Sequence, residues 1–310
     1  MAPGKFSKTL LTSKCHESSL NRLFEQIVDP ARPPMKSFCL ALLLVPMLSF
    51  AFEPLNTDDA GTVKAGGNQI EQYFFSINRS SGAQQADLLT PGEEYTGRVD
   101  AKAFPFTYTR GLSDSLEASF STTYYNEPSG NYSKFANYVF ASKWRFYEDA
   151  NDGYAFAVKP TLVLPASQQQ QVGGLGLAAL NYGVNFIASK YWENIEVHVN
   201  AMYMRSPYNT NYSVGATTES NRTNIFLISV APVWSVCKDL KLALDLGVNT
   251  NPPTSEQYTS NYALIAGIYS LTSSLDLGVS YMRVGMNYGE TFAAQQAGAT
   301  RTEVGVTWRF

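Results

Sequence analysis

The sequence predicts a closed, antiparallel, transmembrane β-barrel of 12 strands, with short turns on the periplasmic side and longer extracellular loops. Three observations predict it. Apolar and polar residues alternate at a period of two through most of residues 68–310. The alternating pieces run to ten residues or more, whereas strands of soluble proteins mostly have about five or six. The connections between them also sort by parity, short after even-numbered strands and mostly long after odd-numbered ones.

Composition sets the frame. Of 310 residues only 16 % are charged, against roughly 25 % in an average soluble domain, while 13 % are aromatic, with 19 Tyr and 18 Phe. A chain this aromatic and periodic is not a disordered one, and a net charge of −3 gives no electrostatic footprint for nucleic acid. Beyond the N-terminal region no apolar run reaches the roughly 20 residues of a membrane-spanning helix, which excludes a multi-helix membrane protein.

Residues 35–51, MKSFCLALLLVPMLSFA, read as a secretory signal peptide. Lys36 supplies the positive start, Leu40 to Leu48 the apolar core, and Ser49 and Ala51 the small residues before cleavage at Phe52. Residues 1–34 have mixed polarity and no period, and Met35 follows them. They read as an untranslated, non-native upstream extension or as a long n-region. Cleavage leaves 17 basic against 23 acidic residues and one cysteine, Cys237, so an internal disulfide is impossible.

The strands are predicted in order at 68–79, 97–110, 114–126, 134–148, 153–163, 176–189, 192–206, 222–237, 240–249, 260–272, 275–287 and 299–310. In the third, Leu116, Ala118 and Phe120 alternate with Glu117, Ser119 and Ser121. The seventh alternates Ile195, Val197 and Val199 with Glu196, His198 and Asn200. In the ninth, Leu240, Leu242, Leu244, Leu246 and Val248 oppose Lys241, Ala243, Asp245, Gly247 and Asn249. The twelfth sets Thr302, Val304, Val306 and Trp308 against Arg301, Glu303, Gly305, Thr307 and Arg309. At a tilt near 40°, about ten residues at ~3.3 Å each rise ~25 Å, the height of an outer-membrane barrel's apolar band. Aromatics at strand ends, among them Tyr73 to Phe75, Tyr124, Tyr125, Trp144 to Tyr147, Tyr191, Trp192, Trp308 and Phe310, are where interfacial girdles belong. The apolar face therefore meets lipid, and the face of small, polar and charged residues lines a lumen. Pro160 and Pro232 fall inside predicted strands, where each removes a ladder donor.

Predicted tight links lie at 111–113, 149–152, 190–191, 238–239 and 273–274; longer ones, rich in Pro, Gly, Asn and Gln, lie at 80–96, 127–133, 164–175, 207–221, 250–259 and 288–298. This places both termini on the periplasmic side. The four-Gln run in 164–175 reads as a flexible surface loop.

On this register the inward charged and polar candidates are Glu71, Arg98, Asp100, Lys102, Glu117, Lys143, Arg145, Lys159, Glu196, His198, Lys241, Asp245, Asp276, Arg301, Glu303 and Arg309. They either pair and brace the wall, or a subset lines a constriction that filters permeants by charge. Residues 52–67 are too polar for a strand in lipid. They either lie outside as a periplasmic strap or fold into the lumen as a partial plug, with Asp58 and Asp59 meeting inward Lys or Arg groups. Twelve strands sit between the filled lumen of eight and the aqueous pore of sixteen, which leaves a narrow channel at most.

The opening Thr57-Asp58-Asp59-Ala60, then Val63, Gly66 or Gly67 and Glu71, resembles the start of the outer-membrane family of phenol-degradation meta-pathway proteins, often simply called transporters. Tight turns such as Leu112-Ser-Asp-Ser-Leu116 and Leu271-Thr-Ser-Ser-Leu275 are similar as well. The terminal Trp308-Arg309-Phe310 is similar to the C-terminal insertion signal of such barrels, with Phe310 its last residue. The resemblance spans 52–310 and implies uptake of aromatic or other hydrophobic compounds.

No enzyme, cofactor or metal is implied. The mature chain has one histidine, no Gly-x-Ser-x-Gly elbow, no nucleotide loop, haem pattern or zinc spacing, and two adjacent aspartates fall short of a calcium loop. The expected partners are outer-membrane lipid and lipopolysaccharide, the barrel-assembly machinery through the C-terminal strand, and small solutes. Two functions follow: passive uptake of small solutes through the lumen or a lateral opening, or a largely closed barrel that serves the envelope structurally.

Overall fold

The structure, a computed structural model, describes residues 54–79, 101–126, 130–207, 223–250, 259–284 and 299–310. Twelve strands form one closed antiparallel barrel: β1 (Asn68–Arg79), β2 (Lys102–Ser113), β3 (Leu116–Tyr125), β4 (Phe135–Asp149), β5 (Tyr154–Val163), β6 (Asn181–Tyr191), β7 (Ile195–Arg205), β8 (Asn224–Cys237), β9 (Leu240–Thr250), β10 (Thr259–Thr272), β11 (Leu275–Val284) and β12 (Ala299–Arg309). Each strand pairs with its neighbours in sequence. The ring closes where β1 pairs with β12, in a register running from Gln69 opposite Arg309 to Arg79 opposite Ala299. Closure removes the unpaired edges that a membrane interior would not tolerate.

The two faces are inverted relative to a soluble protein. Leu242, Leu244, Leu246 and Val248 stand exposed on the outer wall, as do Val279, Val304 and Phe186, while Glu71, Glu117, Lys143, His198, Asp245 and Glu303 are buried inside. Such an apolar exterior is stable against acyl chains and not against water. Aromatic rings collect at the short-turn end of the outer wall: Trp144, Phe146, Tyr147, Tyr154, Phe156 and Trp192 are all exposed there. At the C-terminus Phe310 stacks on Trp308 at 4.4 Å, and its backbone pairs with Asn68.

Three local readings are corrected. Gly111 does not open a turn. β2 runs on to Ser113 because residues 66 and 67 pair with it, Gly66 N–H donating to Gly111 C=O and Gly111 N–H to Gly67 C=O. A Cβ on Gly111 would stand 1.9 Å from the Lys64 carbonyl, so glycine is needed there for close approach. Within 164–175 a short helix, α1 (Gln168–Val172), replaces the expected flexible loop, because Ser167 and Gln170 form a reciprocal capping box. Tyr73, Phe75 and Tyr125 point into the lumen and not into a girdle. The Tyr73 side chain lies over Gly278 and Gly305, where a Cβ would come within 2.5 Å of its hydroxyl and 2.3 Å of its ring.

Candidate functional site

The lumen is occupied by the chain's own N-terminal segment. From Pro54 to Val63 the backbone runs inside the barrel, past β8–β11, then β7 and β6, then β5, β4 and β3, and the exposed residues 64–66 lead from there into β1. From Asn56 to Val63, side chains of the wall supply the hydrogen bonds to its backbone.

Most residues of Leu55–Val63 meet a partner on the wall. Leu55 packs on a small apolar patch of Ala231, Val233, Ala243, Leu264, Ala266 and Met282. The Asp245 carboxylate accepts the backbone N–H groups of Asn56 (2.7 Å) and Thr57 (2.8 Å), the Thr57 hydroxyl (2.7 Å) and the Tyr262 hydroxyl (2.9 Å). Four donors satisfy this buried carboxylate, which has no basic partner among the described residues. The Thr57 and Ser229 hydroxyl oxygens are 2.8 Å apart. Asn200 grips the next peptide from both sides, its Oδ1 accepting from Asp58 N–H and its Nδ2 donating to Asp58 C=O. Ser189 accepts Ala60 N–H and shares a hydrogen bond with His198 Nδ1, and Ala60 packs against Ala155, Ala157 and Ile187. Glu117 accepts Val63 N–H at 2.6 Å.

The electrostatic centre is Lys143. Its ammonium lies 3.1 Å from Asp58, 3.7 Å from Asp59 and 3.4 Å from Glu117, with its side chain fully buried. Lys159 reaches the other oxygen of Asp58 at 2.7 Å. Burial raises the Asp58 carboxyl pKa, but Lys143 and Lys159 together outweigh it and hold the group well below the usual carboxylate range. Burial dominates at Asp59 and pushes it up to about 6, with Lys143 opposing.

The remaining inward groups mostly pair along the wall: Lys241 with Glu196 (2.6 Å), Arg309 with Asp276 (2.7 Å) and Arg301 with Glu303 (2.5 Å). His198 Nε2 lies 3.5 Å from Glu196. Arg145 sits at the short-turn rim, bonded to Glu148 and to the Asp114 carbonyl. Lys102 is a correction. It shares the outward parity of Phe104, because Ala103, Thr107 and Thr109 are the inward residues of β2. Arg98 and Asp100 lie outside the described residues.

The segment does not fill the lumen. Beside it, against β1–β5, a cavity of about 250 Å³ remains, lined by Leu55, Asp58, Glu71, Glu117, Lys159 and the hydroxyl-bearing Thr107, Thr109, Ser119, Ser121 and Thr161, with Val139 and Ala141.

Three strand prolines each interrupt one seam. Pairing of β4 with β5 passes from Ala141–Thr161 to Trp144–Val158 without a pair at Pro160. Pairing of β8 with β9 passes from Val230–Leu246 to Val233–Ala243 without one at Pro232. That of β1 with β2 skips Pro105, where Gln72 Nε2 donates to the Pro105 carbonyl. In each case the missing N–H would have faced the neighbour that is lost.

Sequence reasoning missed the wall residues that receive the segment, namely Asn200 and Ser189 as clamps, Ser229, and the apolar patch under Leu55. Their signal was present as an excess of small and amide residues on inward positions, but nothing in a single strand says what lies opposite.

No family model matches the sequence, and no curated protein matches it. Solved structures do. An outer membrane channel from Pseudomonas putida F1 is similar with a TM-score of 0.56 at 10 % identity, covering 81 % of this chain and 98 % of that one. The NanC porin aligns with a TM-score of 0.49 at 10 % identity (76 % and 98 % covered), and the KdgM porin with 0.47 at 10 % (78 % and 99 %). The likeness is one of fold: a closed outer-membrane β-barrel, whose apolar exterior places this chain in the cell outer membrane.

Proposed function

We propose that this protein is an outer-membrane channel for small solutes whose aqueous path is closed at rest by its own residues 54–67. The observation that carries the reading is the pairing of a tailored dock with an unfilled cavity. The segment is held by side chains placed for it, from Asp245 to Glu117, yet a cavity of about 250 Å³ runs beside it and ends on the Asp58–Lys159 pair. A barrel serving only as a brace would gain more from filling that space, since protein interiors are close-packed. Release of Asp58 from the two lysines joins the cavity to the space that the segment occupies. The test is conductance in planar bilayers: Asp58→Ala/Asp59→Ala should raise the open fraction by roughly tenfold or more, because each ~1.4 kcal/mol of lost docking energy is a factor of ten in population. Equal traces from variant and wild type would leave the closed, structural barrel as the better reading.

A second route is favoured by one observation, the seam at Pro160. Lys159 and Thr161, which flank that proline, line the cavity together with Val139 and Ala141 of β4. A hydrophobic or aromatic solute of the kind suggested by the resemblance of the Thr57–Glu71 opening would leave sideways through this seam into lipid. Impaired uptake of such a solute by Pro160→Val, with unchanged ion conductance, supports the lateral route.

A further inference from the structure

The geometry points to a carboxylate-binding seat formed by Lys143 and Lys159, occupied at rest by Asp58 and open to a small solute monocarboxylate that enters from the cavity and takes the place of Asp58. The inference rests on the reading of residues 54–67 as a displaceable segment.

The two ammonium groups approach one carboxylate from two sides, Lys143 at 3.1 Å from Oδ1 and Lys159 at 2.7 Å from Oδ2. That is a converging site for a planar anion, with a charge-assisted bond on each oxygen. The two lysines are not equivalent. Lys143 is fully buried and also faces Glu117 on the wall at 3.4 Å, so it keeps an anion when the segment that carries Asp58 and Asp59 leaves. Lys159 has a single ion-pair partner within 4 Å among the described residues, Asp58, and its side chain is 30 % exposed toward the cavity. Loss of Asp58 therefore leaves one part-buried cation without an anion, at the point that a solute can reach. Exchange of one carboxylate for another buries no new net charge, whereas water alone would leave the Lys159 charge poorly compensated.

The cavity sets the ligand class. Hydroxyls of Thr107, Ser121 and Thr161 can bond a small polar body, while Glu71 and Glu117 on the same wall disfavour a second negative charge. Asp58 is tethered, so its effective concentration at the seat is of about millimolar order, and a solute competes only at or above that concentration.

The experiment is binding of isotope-labelled acetate, followed by exchange broadening of its carboxyl NMR signal. It uses the protein extracted from outer membranes and held in lipid nanodiscs at constant ionic strength, with acetamide as the neutral isostere. In wild type, broadening should need high acetate. In Asp58→Ala it should saturate at roughly tenfold lower acetate or less, because the competing occupant is gone. In Asp58→Ala/Lys159→Gln it should disappear, and acetamide should give none in any protein. Gel mobility that shifts on heating verifies each variant as a folded barrel, and Asp58→Asn replaces Asp58→Ala if the latter does not fold. Equal acetate dependence in wild type and the Asp58 variant, or equal broadening by acetamide, would overturn the seat. The readout is independent of conductance, so acetate binding in a protein that never conducts would keep the seat and remove the channel.

Discussion

Pro160 and Pro232 make the same defect in two parts of the wall and leave it in different surroundings. Each deletes a backbone donor from one seam, β4–β5 or β8–β9. Behind Pro232 the inward residues Ala231, Val233 and Ala243 are covered by Leu55, so the N-terminal segment backs the weak seam with apolar packing. Behind Pro160 the inward residues Lys159 and Thr161 face the cavity. Pro105, the third case, has the Gln72 amide as a substitute donor to the Tyr73 carbonyl across the seam. A strand proline is thus no opening in itself. What lies on its inner side decides whether the seam is a joint or a hinge.

The largest effect should come from removing the charge that ties the N-terminal segment to the wall. Lys143→Met leaves Asp58, Asp59 and Glu117 facing one another in a buried site, a change of the kind that costs about 3–5 kcal/mol. Limited proteolysis of the variant in nanodiscs should cut within 54–67 at least a hundredfold faster than in wild type, while the barrel stays intact. Asp245→Ala comes next. It strips four donors of their acceptor, each buried group worth ~1–3 kcal/mol when left unmade, and frees the Leu55 end first. Protection of the Asn56 and Thr57 amides in hydrogen exchange should fall, with that of Val63 affected less.

The proline comparison itself can be broken by Pro160→Val and Pro232→Val. Both restore a donor, worth about 1 kcal/mol. Thermal unfolding should rise modestly in both, and solute uptake should change in the first alone. The docked segment should also respond to pH. Asp58, depressed, contributes docking stability that is complete above the ordinary aspartate value of 3.8 and is lost only as pH falls through its lower bound-state value. Asp59, raised to about 6, favours the docked state at low pH and loses that contribution as pH rises from 3.8 toward 6. Acidification from about pH 7 to pH 4.5 should therefore tighten the segment, seen as slower proteolysis of 54–67; release on acidification would contradict the assignment.

The barrel was legible because strand alternation is a local property. Leu242, Leu244 and Leu246 announce their face without knowledge of any other strand. Among the described residues the inward charges were legible for the same reason, apart from Lys102, which shares the outward parity of Phe104. The path of the N-terminal segment was not legible. Its placement depends on partners up to 226 positions away, as between Asn56 and Met282, and no pattern within residues 52–67 distinguishes a strap from a plug. Tyr73 shows the same limit. An aromatic near a strand end reads as a girdle residue until Gly278 and Gly305 are seen to make room for it inside.

The central claim is that residues 54–67 control the aqueous path, and a reversible lock tests it most directly. The Thr57 and Ser229 hydroxyls are 2.8 Å apart, so cysteines are placed at these positions with Cys237 replaced by serine, and thiol titration verifies the disulfide. In an Asp58→Ala background, single-channel conductance of this protein is recorded before and after reduction. The account predicts a closed channel while the disulfide holds the segment to β8, and discrete openings once it is reduced. Identical traces in the two states would show that the segment is a fixed part of the wall and not its gate.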